Sequence, residues 1–454
     1  MTDSDSRAEA TTTRPALNWN TLFRGDRSRI NYNACVGNNG SPDIYFYADG
    51  FADSVTLLIE DLEQHRGALD TLIYPICFSL RHSVELTIKG QIQDLVRLSK
   101  IRKQPLATDD KLEKVLNGHD IQLLWDFFVV GAVVTDRRYV ELLQPLTPLI
   151  KCIADTDPTG QTFRYSYSTE AVKHLTDVSV INIQVLREVF ELIREQLDAL
   201  HYLTDWLISE YRTGTFTRHL SREELMIIAR QLPPRVTWRD VDFDNVKASI
   251  KSKYDISNRE LSKALMLIQQ TRDMAVEIGL PISVPGLSTM DFVQLNDIWK
   301  IAWDYDKLKS KLHDYINGGS SAVVPVHIMD VIQSENESIR DAEQAREQFH
   351  QWTTPEKLAG LYTLLDAGCY KFPEDYDKGY SYQLQEMNMI CDAMQEVREA
   401  EINDIWIQSI GHNGYPARII RKLKIAGFKQ EAFAVEENLF AGSTAEFDDA
   451  LYGK

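Results

Sequence analysis

Apolar residues along this chain recur at steps of three and four far more than in alternation, so the elements it predicts are helices. Residues Asn31 to Gly50 are rich in Asn, Gly, Asp and Tyr, and the cluster from Gly37 to Pro42 marks a loop. After it, Phe51, Val55, Leu58, Ile59 and Leu62 form an apolar stripe, with Glu60, Asp61 and Glu63 largely on the other face. A long helix is expected from about Asp70 to about Lys100, with Pro75 tolerated in its first turn. Its far half, Gln91 to Lys103, turns polar and basic and should protrude from the core. His119 or Asp120 can cap the segment IQLLWDFFVVGAVV, burying Leu123, Leu124, Phe127 and Phe128. A helix around Tyr139 to Ala154 should be bent or split by Pro145 and Pro148. Next come a loop with an extended FRYSYS piece and a long helix from Val178 to Tyr211.

The second half repeats the helical pattern. Ser221 and Glu224 make a capping box, and Pro233-Pro234 ends the helix it opens. Residues 243–269 read as helix, short turn, helix, capped by Ser257 or Asn258, with Lys247, Lys251, Lys253, Arg259 and Lys263 as a basic component. Two helices that simply pack are the expectation there, ahead of a nucleic-acid reader. Residues 279–289 and Gly318 to Ser321 read as linkers. Leu358, Leu361, Leu364 and Leu365 make a core helix, and Tyr382 to Ile410 reads as one long helix carrying either core or a dimerisation seam. Residues 417–429 are basic and amphipathic. The expected fold is all-α: a tail and loop at 1–44, with the tail disordered, a helical bundle over 45–214, a small helical region over 215–320 and a helical domain over 321–454.

Composition narrows the class without changing the fold. A net charge of −18 over 454 residues argues against coating DNA or an anionic membrane by bulk electrostatics, so DNA and membrane are not expected partners, although a local basic groove stays open. The longest apolar run, Phe127 to Val134, is about eight residues against roughly twenty for a bilayer span. Cysteines at 35, 77, 152, 369 and 391 show no CxxC spacing and read as reduced thiols of a cytoplasmic protein. Neither nucleotide-binding glycine motifs, HExxH nor GxSxG occurs, and no metal-ligand spacing is recognisable, so no cofactor or metal is expected.

Candidate chemistry concentrates in YPICFSLRHSVELTIK, residues 74–89. On a helix, Arg81, His82, Glu85 and Lys89 share an arc of about 100° flanked by apolar residues. Charges in such a place are paired or used, so the stripe is either a structural ionic ladder or the wall of a site.

LRHSVELTIKG at 80–90, GHDIQLLWDF at 118–127 and TFRYSYS at 162–168 before a long helix together resemble HEPN-type helical domains, over roughly residues 45–211. The resemblance implies a helical bundle, commonly dimeric, of a superfamily rich in metal-independent endoribonucleases of toxin, anti-phage and abortive-infection systems, with inactive binding modules among its other members. It brings His119, Arg164 and Tyr165 alongside the stripe: Arg81, His82, Glu85 and His119 as catalytic candidates, Lys89, Arg164 and Tyr165 as RNA or phosphate contacts. Catalytic HEPN domains carry an Arg and, one to two helical turns on, a His; Arg194 and His201 fit that spacing and form a rival pair. Histidine titrates in the range a general base for a ribose 2′-hydroxyl needs, and arginine presents a fork for phosphate. The expected function is an RNA-cleaving effector of prokaryotic defence with a protein partner or homodimer, or alternatively a non-catalytic module whose bundle is a dimerisation scaffold.

Overall fold

The computed structural model describes residues 23–40, 42–167, 174–240, 242–303, 328–366, 371–412 and 414–440. The first fifteen residues, Ser168, Gly318 to Ser321 and Cys369, all of which carry expectations from the sequence, lie outside the described residues. Seventeen α-helices make up the fold, and no β-strand forms among the described residues, as the hydrophobic periodicity requires. Two compact units divide the chain: residues 1–93, 107–133 and 138–200 form the first, and residues 94–106, 134–137 and 201–454 the second. The division falls inside a helix near residue 200, not in the loop at 214.

In the first unit, α1 (Ile44–Glu63) starts just after the loop expected at Gly37 to Pro42, where the Asp43 carboxylate accepts the Phe46 N–H at 2.9 Å and caps it. Ala48, Ala52, Val55, Ile59 and Leu62 fill its inner stripe. Helix α2 (Leu69–Ile101) begins early enough that Pro75 lies beyond the first turn, at the cost of one backbone hydrogen bond. Ile76, Leu80, Val84 and Ile88 are its buried apolar stripe. The start of α1 crosses α2 at Gly90, where a Cβ would stand 2.6 Å from the Tyr45 ring.

Helix α3 (Asp109–Asn117) leads to α4 (Ile121–Thr135), capped by Asp120, whose carboxylate accepts the Leu123 N–H at 3.0 Å. Ile121, Leu124, Trp125, Phe128 and Ala132 are buried, whereas Leu123 is 66% exposed, against expectation: the helix is apolar all round and only one face finds a partner. Helix α5 (Tyr139–Thr156) is not split by its prolines, since Leu143, Leu146 and Ile150 keep one buried stripe running past them. The FRYSYS piece turns instead of extending: Arg164 and Tyr165 both donate their N–H to the Gln161 carbonyl. Helix α6 (Ile183–Arg212) starts later than Val178 because Asn182 caps it, accepting from the N–H groups of Gln184 and Val185.

The second unit takes in the end of α2, and this end does not protrude. Leu95, Leu98 and Ser99 are buried, and Arg102 donates to the Arg218 carbonyl at 3.0 Å with its guanidinium over the Tyr211 ring, so its polar groups are satisfied indoors. Helices α7 (Arg222–Gln231), α8 (Asp242–Tyr254), α9 (Asn258–Gln270) and α10 (Arg272–Glu277) surround one apolar core, with Ser221 completing the capping box on α7. The other core gathers α11 (Thr289–Ala302), α12 (Ile328–Trp352), α13 (Pro355–Asp366), α14 (Glu374–Cys391), α15 (Gln395–Gln408), α16 (Tyr415–Ile425) and α17 (Lys429–Phe440). Because α11 packs with residues beyond 345, the break between cores sits at the 279–288 loop and not at 320. The single helix expected over Tyr382 to Ile410 is two. Met394 is extended and 78% exposed, and the break lets Met387 on α14 and Ile402 and Ile405 on α15 all face the core. On α16, Ile419, Ile420 and Leu423 are buried while Lys424 pairs with Glu436 at 2.6 Å.

Replacing Gly90 by Ala is expected to destabilise the protein by about 1–3 kcal/mol through the clash with Tyr45, although alanine is the better helix former. Urea unfolding of the two proteins measures it.

Candidate functional site

One turn of α2 sets the site's spacing. Arg81, Glu85 and Lys89 are four residues apart, so their side chains stack along one face, and the Glu85 carboxylate lies within reach of both neighbours. Arg81 donates through Nη1 to Glu85 Oε2, and Lys89 Nζ lies 2.8 Å from Glu85 Oε1. The third partner comes from another element: His119 Nδ1, just ahead of α4, is 2.8 Å from the same Oε1. His82 Nδ1 approaches Oε2 at 3.8 Å, its ring stacked on Phe78 and edge-on to Phe51.

Arg81 has a second task that nothing in its own segment foretells. Its Nε donates to the Asp157 carbonyl at 3.1 Å, and its Nη2 to the carbonyls of Pro158 (2.9 Å) and His119. A buried guanidinium thereby ties the end of α5 to the entry of α4. The Ile121 N–H adds a bond to the Pro158 carbonyl at 3.0 Å. Gly160, at φ +77°, lets the loop close over the guanidinium, since a Cβ there would stand 3.2 Å from Nη1. These loop residues carry no chemical motif: two of them contribute carbonyl oxygens, which every sequence supplies, and only the glycine is a readable mark.

Burial divides the cluster into an inside and a rim. Arg81 and Glu85 are each 2% exposed and Lys89 is nearly as covered, whereas the His119 side chain is 65% exposed. No partner engages His119 Nε2 among the described residues. Arg164 is exposed too, its Nε donating to the Gly160 carbonyl and its guanidinium over the rings of Phe78 and Tyr165. Burial pushes the Glu85 carboxyl up, but the nearby His82, the close contacts of Lys89 and His119 and the charge of Arg81 outweigh it, and hold the group well below the usual carboxylate range. Glu85 is therefore an anion at neutral pH, and the nitrogen of His119 that faces it is the protonated one. In the neutral ring Nε2 is then the nitrogen without a proton. Cys77 on the same helix is inert, its thiol pushed up to about 12 by burial.

The predicted residues thus fall into three groups. Arg81, Glu85, Lys89, His119 and, more loosely, His82 meet around one carboxylate. Arg164 and Tyr165 stand at the rim beside Gly160. The rival pair stays apart from that carboxylate: Arg194 faces Asp53 at 3.3 Å and His201 faces Asp94 at 4.0 Å. A cavity of about 560 Å³ between the ends of α1 and α6, lined by Leu62, His65, Leu69 and Ile181, includes none of the cluster. Among the described residues no group of acids, histidines and cysteines is placed to hold a metal, and no helix is long and apolar enough to cross a membrane. In comparison with protein-family models, curated proteins and solved structures, the chain matches none.

The linkage of Glu85 to folding has a definite sign. A carboxylate whose folded pKa is depressed contributes stability that is present above its unfolded value, about 4.3, and lost as pH falls through the folded one. Glu85→Gln should cost about 3–5 kcal/mol at pH 7, because it leaves Arg81 and Lys89 without their counter-ion. The gap to wild type should narrow below about pH 4, where the unfolded chain takes up a proton that the folded Glu85 carboxylate does not. Denaturant unfolding at pH 7 and pH 3 checks both.

Proposed function

We propose that the first unit is a HEPN-like, metal-independent endoribonuclease, an effector of prokaryotic antiviral defence, in which His119 moves the proton. One observation carries this reading: an exposed imidazole whose inner nitrogen is held by a buried, ionised carboxylate. Such a pair fixes the ring's tautomer and aims the other nitrogen at solvent. In the reaction, His119 Nε2 takes the proton of a ribose 2′-hydroxyl, the resulting oxygen attacks the adjacent phosphorus, and the 5′-oxygen of the next nucleotide leaves, protonated from solvent. Arg164 lies on the same rim and supplies positive charge to the phosphate, with Tyr165 offering a face to a base. Arg81 and Glu85 are positioning residues here, and Lys89 acts through Glu85 instead of on the phosphate directly. A homodimer or other protein partner remains part of the proposal.

The second reading, a non-catalytic scaffold, is favoured by a different observation. Arg81, the arginine of the Arg-His motif, spends its donors on three carbonyls and Glu85, out of a substrate's reach.

His119→Ala is expected to lower RNA cleavage by about 10²–10⁴-fold while moving the melting temperature little, since the side chain is largely exposed. Cleavage of labelled RNA by purified protein, alongside RNA integrity and growth of expressing cells with and without phage infection, provides the readout. Intact RNA with wild-type protein under every trigger would exclude the nuclease and leave the scaffold.

A further inference from the structure

Residues 220–278 enclose a core of their own, built from Leu225, Ile228, Phe243, Ile250, Leu261 and Ile268 on α7 to α9 and Met274 on α10. Within it α8 and α9 are joined by three residues only. Asp255 takes the left-handed conformation, φ +49°, and reverses the chain; Ile256 drops into the core at 7% exposure; Ser257 Oγ accepts the Glu260 N–H at 3.2 Å and starts α9. A left-handed residue, a buried apolar residue and an N-cap in succession make the tight turn of a helix-turn-helix.

The outer face of α9 is what sets this hairpin apart from one that merely packs. Leu261, Ala264 and Ile268 turn inward, leaving Arg259, Ser262, Lys263, Met266 and Gln270 exposed. Arg259, Lys263, Met266 and Gln270 stand at i, i+4, i+7 and i+11 and make one stripe. It contains no acid, because the only acid of α9, Glu260, turns away to accept the His219 N–H at 3.0 Å. Neither Arg259 nor Lys263 is engaged in an ion pair among the described residues, whereas Lys247 is paired with Asp244. Lys251 reaches across the turn to Asn258 at 2.7 Å, and Lys253 follows, so cations stand on both sides of the turn, with the exposed Asp255 between them. In a chain of net charge −18, Arg259 and Lys263 make a local patch of positive charge.

We propose that residues 220–278 are a duplex-DNA-binding module with α9 as the helix that enters the major groove. Charge complementarity selects a polyanion, and the exposed face of a helix selects its form. The major groove of B-DNA admits an α-helix, while that of A-form RNA is too deep and narrow. Arg259 and Lys263, in the first half of α9, are placed to reach base edges, with Arg259 suited to the paired acceptors of guanine; Lys251 and Lys253 fall to the phosphates. The bulk charge of the chain, which argues against DNA, does not decide the matter, because screening confines each charge's influence to about 10 Å. This activity is independent of the ribonuclease reading of the first unit.

The test uses the full chain and random-sequence DNA duplexes of about 30 base pairs, followed by fluorescence anisotropy across a salt series, with single- and double-stranded RNA of the same length as competitors. Wild type is expected to bind duplex DNA in preference to both RNAs. The double variant Arg259→Ala/Lys263→Ala should weaken binding by about tenfold or more at low salt with an unchanged melting temperature, and Lys251→Ala/Lys253→Ala should flatten the log–log salt slope by about two. Equal binding by variant and wild type, absence of duplex binding at low salt, or preference for either RNA would overturn the proposal.

Discussion

A buried guanidinium and a buried carboxylate, four residues apart on α2, are the interaction on which the first unit's site depends. Neither charge would survive indoors alone: removing one partner of such a pair costs about 3–5 kcal/mol, even where the intact pair contributes little net stability over an apolar replacement. Arg81 and Glu85 escape that penalty by distributing their contacts. Arg81 satisfies carbonyls from two separate chain segments, and Glu85 collects Arg81, Lys89 and His119. The pair therefore does more than neutralise itself. It sets where His119 stands and which of its nitrogens faces out.

The sealed interior and exposed rim carry different consequences for chemistry. A ladder and a site were alternatives when only the helical spacing was in view; in the folded unit the charges form a sealed ladder, and the exposed imidazole of His119 stands at its outer end. The second unit treats charge differently. Arg222, also largely buried, is held by Glu374 and Asp273 on other helices, whereas the cations on the outer face of α9 are left uncompensated at the surface.

Helical class was legible throughout, because periodicity reports burial on one face and that is a local property. Capping was legible as well: Ser221, Ser257 and Asp120 start helices as their side chains predict. Errors came where a tertiary partner overrode local character. The polar end of α2 is buried because Tyr211 and the Arg218 carbonyl receive Arg102. The prolines of α5 do not split it, because neighbours pay more for a continuous stripe than two lost hydrogen bonds cost. The break at Met394 was invisible because apolar positions in helical register do not say whether one core can receive them all.

What the sequence by itself determined is the helical architecture, the stripe of Arg81, Glu85 and Lys89, and the tight turn before α9, since each follows from spacing along one segment. Only the tertiary structure decided that Arg81 serves backbone carbonyls, that His119 completes the carboxylate's shell, and that Arg194 and His201 each have an acid of their own. The reason is physical. Carbonyl oxygens are the same in every residue and leave no trace in a sequence, and the 34-residue separation of Glu85 and His119 is bridged by a fold and not by a pattern.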